Sequence, residues 1–375
     1  MDYDEAARSV SRFASSRQPL HNGRKKSILQ EKWGSRMKAT IYDVAREAGV
    51  SIAAVSQVMN GKGKISEERR GEIIKIMERL NYQPSVIASA LTGKKTYTLG
   101  LLVPDISNPF FAEIARAVED QGHHMGYSLV ICSSDNKDER VERYLNLLQQ
   151  KRVDAMIIGT GMDNKDMLTP LMERAIPIAM IAREMPDLDV HTVVVDDFVG
   201  GALSATHLLD LGHRRMAILA EHSKVSSSRE RVRGFKSKLE EAGVQLPENS
   251  VRNCRYVVAD GKREALELLG QSGSDRPTAL FCCNDLLAIG ALQAAKQLRL
   301  RVPEDLSVIG FDNTILASVT DPPLTTVAQP IEPMGKMVVD LLIQELKKES
   351  KAKQRVVMRP ELIVRQSTAA PTVCD

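Results

Sequence analysis

The sequence predicts an α/β fold: a small helical head followed by a large body of two doubly wound α/β subdomains. Three observations predict it. At 375 residues the chain exceeds one typical domain. Hydrophobic residues make up 43% but aromatic ones only 4%, a balance that suits aliphatic strands covered by aliphatic helices. From Thr98 onward, strand-like apolar runs alternate with amphipathic helical stretches, and that repetition demands a parallel sheet covered on both faces.

In the head, Ile41, Val44, Ala45 and Ala48 share one face at helical spacing, and Gly49 follows where the chain can turn without a Cβ penalty. Ser51 is a good N-cap for a second helix. There Val55 and Val58 point inward, and Ile52, Ala53, Ser56 and Gln57 stay on the outer face. Two short helices joined by a glycine turn make a helix-turn-helix. Ser66 caps a third helix whose Ile73, Ile76, Met77 and Leu80 can close the core.

In a helix-turn-helix the second helix enters the major groove of DNA with its N-terminal residues at the base edges, so Ile52, Ala53 and Gln57 are the candidate readers. Gln57 can make a bidentate contact with adenine, and the apolar pair can meet a thymine methyl. Thr40, Ser51, Ser56, Lys62 and Lys64 are candidates for phosphate contacts that position the head without reading sequence. An ordinary amphipathic helix pair is the bland alternative. Charge favours DNA. Residues 1–36 carry eight Lys/Arg against four Asp/Glu and residues 37–94 nine against six, so the net +3 is gathered at the head end and the remainder is acidic.

Residues 1–36 are polar, basic and without sustained period, so the expectation there is a disordered extension. Ser85 to Leu91 is a different case. About seven residues cannot hold a helix alone in water, because nucleation costs more than one or two turns return. The segment is either a plain linker or a helix ordered by a partner.

In the body, the strand-like runs are LGLLV, YSLVIC, DAMIIG, PIAMIA, TVVV, RMAILA, TALFC and LSVIGF. About 270 residues exceed one sheet's comfortable size, so two subdomains with a cleft between them are expected. Ligands of such folds sit beyond the carboxyl ends of the strands. The first run ends at Val103 and leads into PDISNPFF, where Ser107 or Asn108 can cap a helix and Pro109 can occupy its first turn.

Other classes are disfavoured. Cys132, Cys254, Cys282, Cys283 and Cys374 show no metal spacing, and scattered thiols favour a reducing compartment. There is no run of 18 apolar residues and no apolar signal region at the N-terminus, so a cytoplasmic location and no membrane span are expected. GxSxG, HExxH and GxxxxGK[ST] are absent, and Gly159 and Gly161 lack the third glycine of a dinucleotide loop. No enzyme activity, cofactor or metal is expected.

The segment TIYDVAREAGVS, Asn60, NYQPS before ASAL, and the later GLLVPDISNPFFAEI and GFDN resemble the lactose and purine repressor (LacI/GalR) family of bacterial transcription regulators. The likeness runs from about Lys38 to about Ser367. Gln57 and Ser89 stand where many members have Arg, so the operator sequence does not carry over. The resemblance implies a periplasmic-binding-protein-like body whose chain crosses between lobes three times, the first near Asp197 and the next near Pro330. It also implies a hinge helix that pairs with its twin, with Leu91 wedged into the minor groove and Ala88 at the close-packed position.

For the cleft, the resemblance implies Phe110 and Phe111 as ring-stacking residues, with core packing as their alternative. SSSRERVRGF matches a ligand-contacting helix start, which assigns Ser227 and Arg231 to the pocket. Arg suits hydroxyls, carboxylate or phosphate. Asp312 would accept hydrogen bonds, unless it serves as a cap. Arg183, Asp196, Tyr256 and Asn284 are further candidates, Ala182 replaces an acidic residue common in the family, and His213 reads as structural.

The function implied is a ligand-responsive repressor binding a near-palindromic operator as a homodimer, with a sugar-like effector favoured over a purine-like one. It leaves open a phosphocarrier protein as corepressor. After Ser367 only TAAPTVCD follows, too short for a leucine heptad that would make tetramers. The organisation expected is an extension at 1–36, head at 37–84, hinge and linker at 85–96, body at 97–367 and tail at 368–375. A solute-binding protein without a DNA role is the alternative from another class.

Overall fold

The computed structural model describes residues 39–59, 65–82, 95–162, 164–222, 224–270, 276–350 and 352–372. The expectations for residues 1–36, Asn60, Lys62, Lys64, Ala88, Leu91 and Cys374 lie outside the described residues. The chain divides into two compact units, Met1–Ala88 and Ser89–Asp375.

The first unit holds α1 (Ile41–Ala48), α2 (Ile52–Met59) and α3 (Glu67–Arg79). Gly49 ends α1 in the left-handed region at φ 62°, and the Val50 amide turns back to the Ala45 carbonyl at 3.1 Å. That turn needs glycine, because a side chain at positive φ is strained. Ser51 Oγ accepts from the Ala54 amide at 3.2 Å, and Ser66 Oγ accepts from the Arg69 amide at 3.3 Å. Val44, Ala45, Ala48, Val55, Val58 and Ile73 form the core, with Ile76, Met77 and Leu80 packed against it. Burying each larger aliphatic side chain stabilises the head by about 1.5–3 kcal/mol.

The second unit contains, in chain order, β1 (Thr98–Val103), α4 (Pro109–His124), β2 (Ser128–Ser133), α5 (Asp138–Gln150), β3 (Ala155–Ile158), α6 (Thr169–Glu173), β4 (Ile178–Ile181) and β5 (His191–Val195). It continues with α7 (Asp197–Asp210), β6 (Met216–Ala220), α8 (Ser226–Glu241), β7 (Val251–Asn253), α9 (Val258–Leu269), β8 (Ala279–Cys282), α10 (Asp285–Gln297) and β9 (Ser307–Asp312). It closes with α11 (Ile315–Val319), β10 (Thr325–Ala328), α12 (Ile331–Leu346), β11 (Arg355–Met358) and β12 (Glu361–Ile363).

The strands form two sheets, ordered β11-β5-β4-β3-β1-β2 and β12-β10-β9-β8-β6-β7. Every described pairing is parallel except β10 with β12. The inner strands of both sheets are buried on two faces, as their continuous apolar runs require, and the edge strands are only partly covered. In the first lobe, residues of α4 and α12 cover one face and α5 the other. In the second, α7 and α8 cover one face and α9 and α10 the other.

All eight strand-like runs are strands. Four further strands were not legible as apolar runs. β10 begins Thr325-Thr326, both fully buried, and their hydroxyls are satisfied by Thr368 and Asp285. β7, β11 and β12 are three- or four-residue strands, only partly covered. The chain passes between the sheets after Val195, after Ala328 and after Met358, so the first two crossings lie at the positions the resemblance implied. Among the described residues, no helix is long and apolar enough to cross a membrane.

Candidate functional site

The carboxyl ends of the two sheets' strands meet across a cleft, and the chain's local signals place the side chains there. Asn108, not Ser107, caps α4: its Oδ1 accepts from the Phe110 amide at 3.1 Å, and Pro109 takes the first helical position. This turn sets Phe110 and Phe111 edge to face, ring centres 5.0 Å apart. Both rings line the cavity and both belong to the first lobe's core, so the packing and pocket readings hold together.

The first lobe contributes Asn108, Phe110, Phe111, Ala182 and Arg183 to the cavity wall; the second contributes Glu221, Ser227, Arg231, Asn284 and Asp312. Seven of the nine expected ligand positions therefore come together. The other two adjoin that wall rather than forming part of it. Asp196 accepts from the Val199 amide at 3.0 Å as the cap of α7 and faces an adjoining recess with Phe198, Arg233 and Arg355. Tyr256 is half-buried; burial first, then the charges of Asp105 and Glu221, push its phenol up to about 12.

Arg231 is the most constrained group in the cleft. Its Nε donates to Asp197 at 2.7 Å, one terminal nitrogen donates to the Cys283 carbonyl at 2.5 Å and approaches Asp312 at 3.5 Å, and the guanidinium lies 3.6 Å over the Phe311 ring. Burial works against its charge, but Asp197 and Asp312 outweigh that and hold its pKa above the ordinary value. Burial raises Asp197, with Arg231 pulling the other way, and raises Asp312 strongly, again against Arg231 and with Asp285 adding to the rise. The guanidinium thus stays charged while the deeply buried Asp312 holds its proton more tightly than a surface carboxyl does.

Asp312 also accepts from Gln329 Nε2 at 2.7 Å and has φ 110°, with Asn313 at 58° and Ala182 at 56°. Strained backbone thus sits at both strand ends that wall the cavity, where the surrounding packing must hold it. Asn284 caps α10 by accepting from the Leu287 amide at 2.8 Å, and its Nδ2 is 3.5 Å from Glu221. Three residues of this network escaped the sequence reading: Glu221, Asp197 and Gln329. Glu221 directly follows β6, so the strand-end rule could have found it. His213 is a satisfied core histidine, held by Thr278, Ser307 and the Ala369 carbonyl. Cys254 and Cys283 are pushed by burial up to about 12 and are inert thiols.

Asp285, beneath the cleft, accepts from the Thr314 amide, the Thr314 hydroxyl and the Thr326 hydroxyl at 2.7–3.0 Å. Burial still pushes its carboxyl from 3.8 up to about 6. A carboxyl raised on folding binds its proton better in the native state, so its contribution is full below pH 3.8 and is lost as pH rises through about 6. The melting-temperature advantage of the wild type over Asp285→Asn is expected to shrink between pH 4 and pH 7; calorimetry showing a pH-independent difference would refute this.

In the head, Ile52, Ala53 and Gln57 are exposed on α2, and Ser56 is half-buried. The Thr40 hydroxyl donates to Asp43 at 2.7 Å and Ser51 Oγ is taken by the cap, so both have local duties beside any phosphate contact.

A helix-turn-helix with a solvent-facing second helix, together with a two-lobed body enclosing a polar cleft, defines the class: a DNA-binding, ligand-responsive transcription regulator. Residues 40–85 match the family described as bacterial regulatory proteins, lacI family, and residues 205–368 match a periplasmic binding protein-like domain. The chain is 44% identical over 336 residues to the HTH-type transcriptional regulator DegA of Bacillus subtilis (strain 168), covering 89% of this chain and 99% of that one. It is 35% identical to the ribose operon repressor of Haemophilus influenzae over 88% of this chain and 98% of the relative. Among solved structures, a Lac repressor dimer bound to operator and the anti-inducer ONPF overlays with a TM-score of 0.78 at 28% identity, covering 88% of this chain and 99% of that one. The chain belongs to the lacI family of bacterial regulatory proteins.

Proposed function

We propose that this protein is a cytoplasmic repressor that binds a near-palindromic operator as a homodimer and is released or recruited by a sugar-like effector in the interlobe cleft. One observation carries the reading: a single chain pairs an exposed Ile52, Ala53 and Gln57 face on a recognition helix with a cavity that sets Arg231 and Asp312 opposite two aromatic rings. A ring face beside paired donors and acceptors suits a polyhydroxylated solute. Supporting it, the relatives include a ribose operon repressor and a regulator solved with cellobiose. The working division is head at 37–84, hinge and linker at 85–96, body at 97–367 and tail at 368–375.

In this reading Gln57, Ile52 and Ala53 read bases, and Thr40, Ser51, Ser56, Lys62 and Lys64 position the head on phosphates. Ala88 packs against its twin and Leu91 wedges a base step. Lobe closure shifts the paired hinge segments, and operator and effector then alter each other's affinity by one common factor. Moving an equilibrium from mostly off DNA to mostly on it takes about 5.5 kcal/mol of differential affinity. Comparing operator affinity with and without effector separates induction from corepression.

The test is a gel shift on operator fragments with wild type and Leu91→Ala. Loss of an apolar wedge worth a few kcal/mol is expected to weaken operator binding at least tenfold and reduce the bend. Unchanged affinity and bend would overturn the hinge role. Failure of the wild type to bind any genomic fragment specifically would instead favour a solute-binding protein.

A further inference from the structure

We infer that Glu221 is a charge selector that restricts the cleft to uncharged, hydroxyl-rich effectors and excludes carboxylated or phosphorylated ones, an inference that rests on the reading of the cleft as the effector site. Two guanidiniums reach the cavity, and an arginine pair in a closing cleft ordinarily attracts an oxyanion. Here both are already matched. The charge of Arg231 is matched by Asp197, with the Cys283 carbonyl and the face of Phe311 also against the guanidinium. Arg183, which comes from the first lobe, faces Glu221 of the second at 4.0 Å, with side chains only 11% and 16% exposed.

The two carboxylates of Asp197 and Glu221 balance the two guanidiniums one for one, and Asp312 adds a third acceptor. The wall therefore presents donors and acceptors without unmatched positive charge. An anionic effector would have to enter beside Glu221, where two like charges in a poorly solvated space repel. A neutral polyol meets no such cost, because Arg183 and Glu221 can donate to and accept from hydroxyls at once. Glu221 is also tied to the wall from its own lobe: its amide donates to Ser228 Oγ at 2.9 Å, and Asn284 Nδ2 approaches its carboxylate at 3.5 Å.

The test uses the full chain, wild type and Glu221→Gln, with D-gluconate and inorganic phosphate as probes and thermal shift followed by calorimetric titration as readouts. Gln keeps the shape and removes the charge, which leaves Arg183 unmatched. The variant is expected to bind gluconate or phosphate at least tenfold more tightly than the wild type, and Glu221→Gln combined with Arg183→Gln is expected to lose that gain. Wild type binding either anion as tightly as the variant, or a folded variant with no gain for either, would overturn the inference. Should Glu221→Gln gain oxyanion binding while no neutral sugar alters operator affinity, the charge selector stands and the effector reading of the cleft fails.

Discussion

Arg231→Met is expected to lower the melting temperature of the body by about 10 °C, because removing one partner of a buried charge network costs about 3–5 kcal/mol and each kcal/mol moves a body of this size by roughly 2–4 °C. Methionine fills much of the space over Phe311, so packing changes little. What changes is charge. Asp197 and Asp312 lose the cation that opposes their burial, and the Cys283 carbonyl loses its donor. Their carboxyls, already raised by burial, then rise further. Because a raised native pKa stabilises at low pH and loses its contribution as pH rises through it, the deficit of the variant is expected to be largest near pH 7 and to shrink toward pH 4. Differential scanning calorimetry across that range checks both size and sign. A variant melting within 2 °C of wild type at pH 7 would show that the network carries no such weight. Adding Asp197→Asn to Arg231→Met should recover part of the loss, since contacting residues are not additive.

Gly234→Ala is expected to cost about 3 kcal/mol, at the upper end of the range for overpacking a tight core. A Cβ built at Gly234 would lie 1.9 Å from the Phe198 carbonyl oxygen, and one at Gly201 would lie 1.9 Å from the Arg231 carbonyl oxygen. The two helices α7 and α8 thus meet backbone to backbone, glycine against carbonyl, in both directions. No side-chain rotation can relieve the clash, because the obstacle is main chain. The helices must part, and that separation also pulls Arg231 on α8 from Asp197 on α7. The variant should therefore lose stability and effector binding together, measurable by urea unfolding and by titration with a bound sugar. Full effector affinity in a destabilised Gly234→Ala would show that the close approach supports the fold without setting the site.

The contrast between these two cases marks how far the sequence could be read. The caps Ser51 and Ser66, the turn at Gly49 and the eight apolar strand runs are legible, because each depends on neighbours a few positions away along the chain; before Pro109 the sequence offers Ser107 or Asn108 alike, and the structure selects Asn108. Phe110, Phe111 and Arg231 were placed at the cleft from the family likeness and stand there. Asp196, expected with them, lines the adjoining recess beside Arg183 and Ser227 while its carboxylate caps α7 through the Val199 amide, and Tyr256 feels the charges of Glu221 and Arg183 next to that wall.

What the sequence by itself determined, then, is the list of elements and which strand ends carry polar residues, since hydrophobic period and capping are local. Only the tertiary structure decided who partners whom: Arg231 with Asp197 thirty-four positions away, Arg183 with Glu221 across the lobes, and Thr326 with Asp285 under the cleft. Buried charge takes its meaning from what surrounds it in a poorly solvated interior, and those surroundings are assembled from segments whose spacing along the chain carries no trace of their meeting. The edge strands follow the same reasoning: three or four half-covered residues become strands because a neighbouring strand offers them hydrogen bonds, not because of their own pattern.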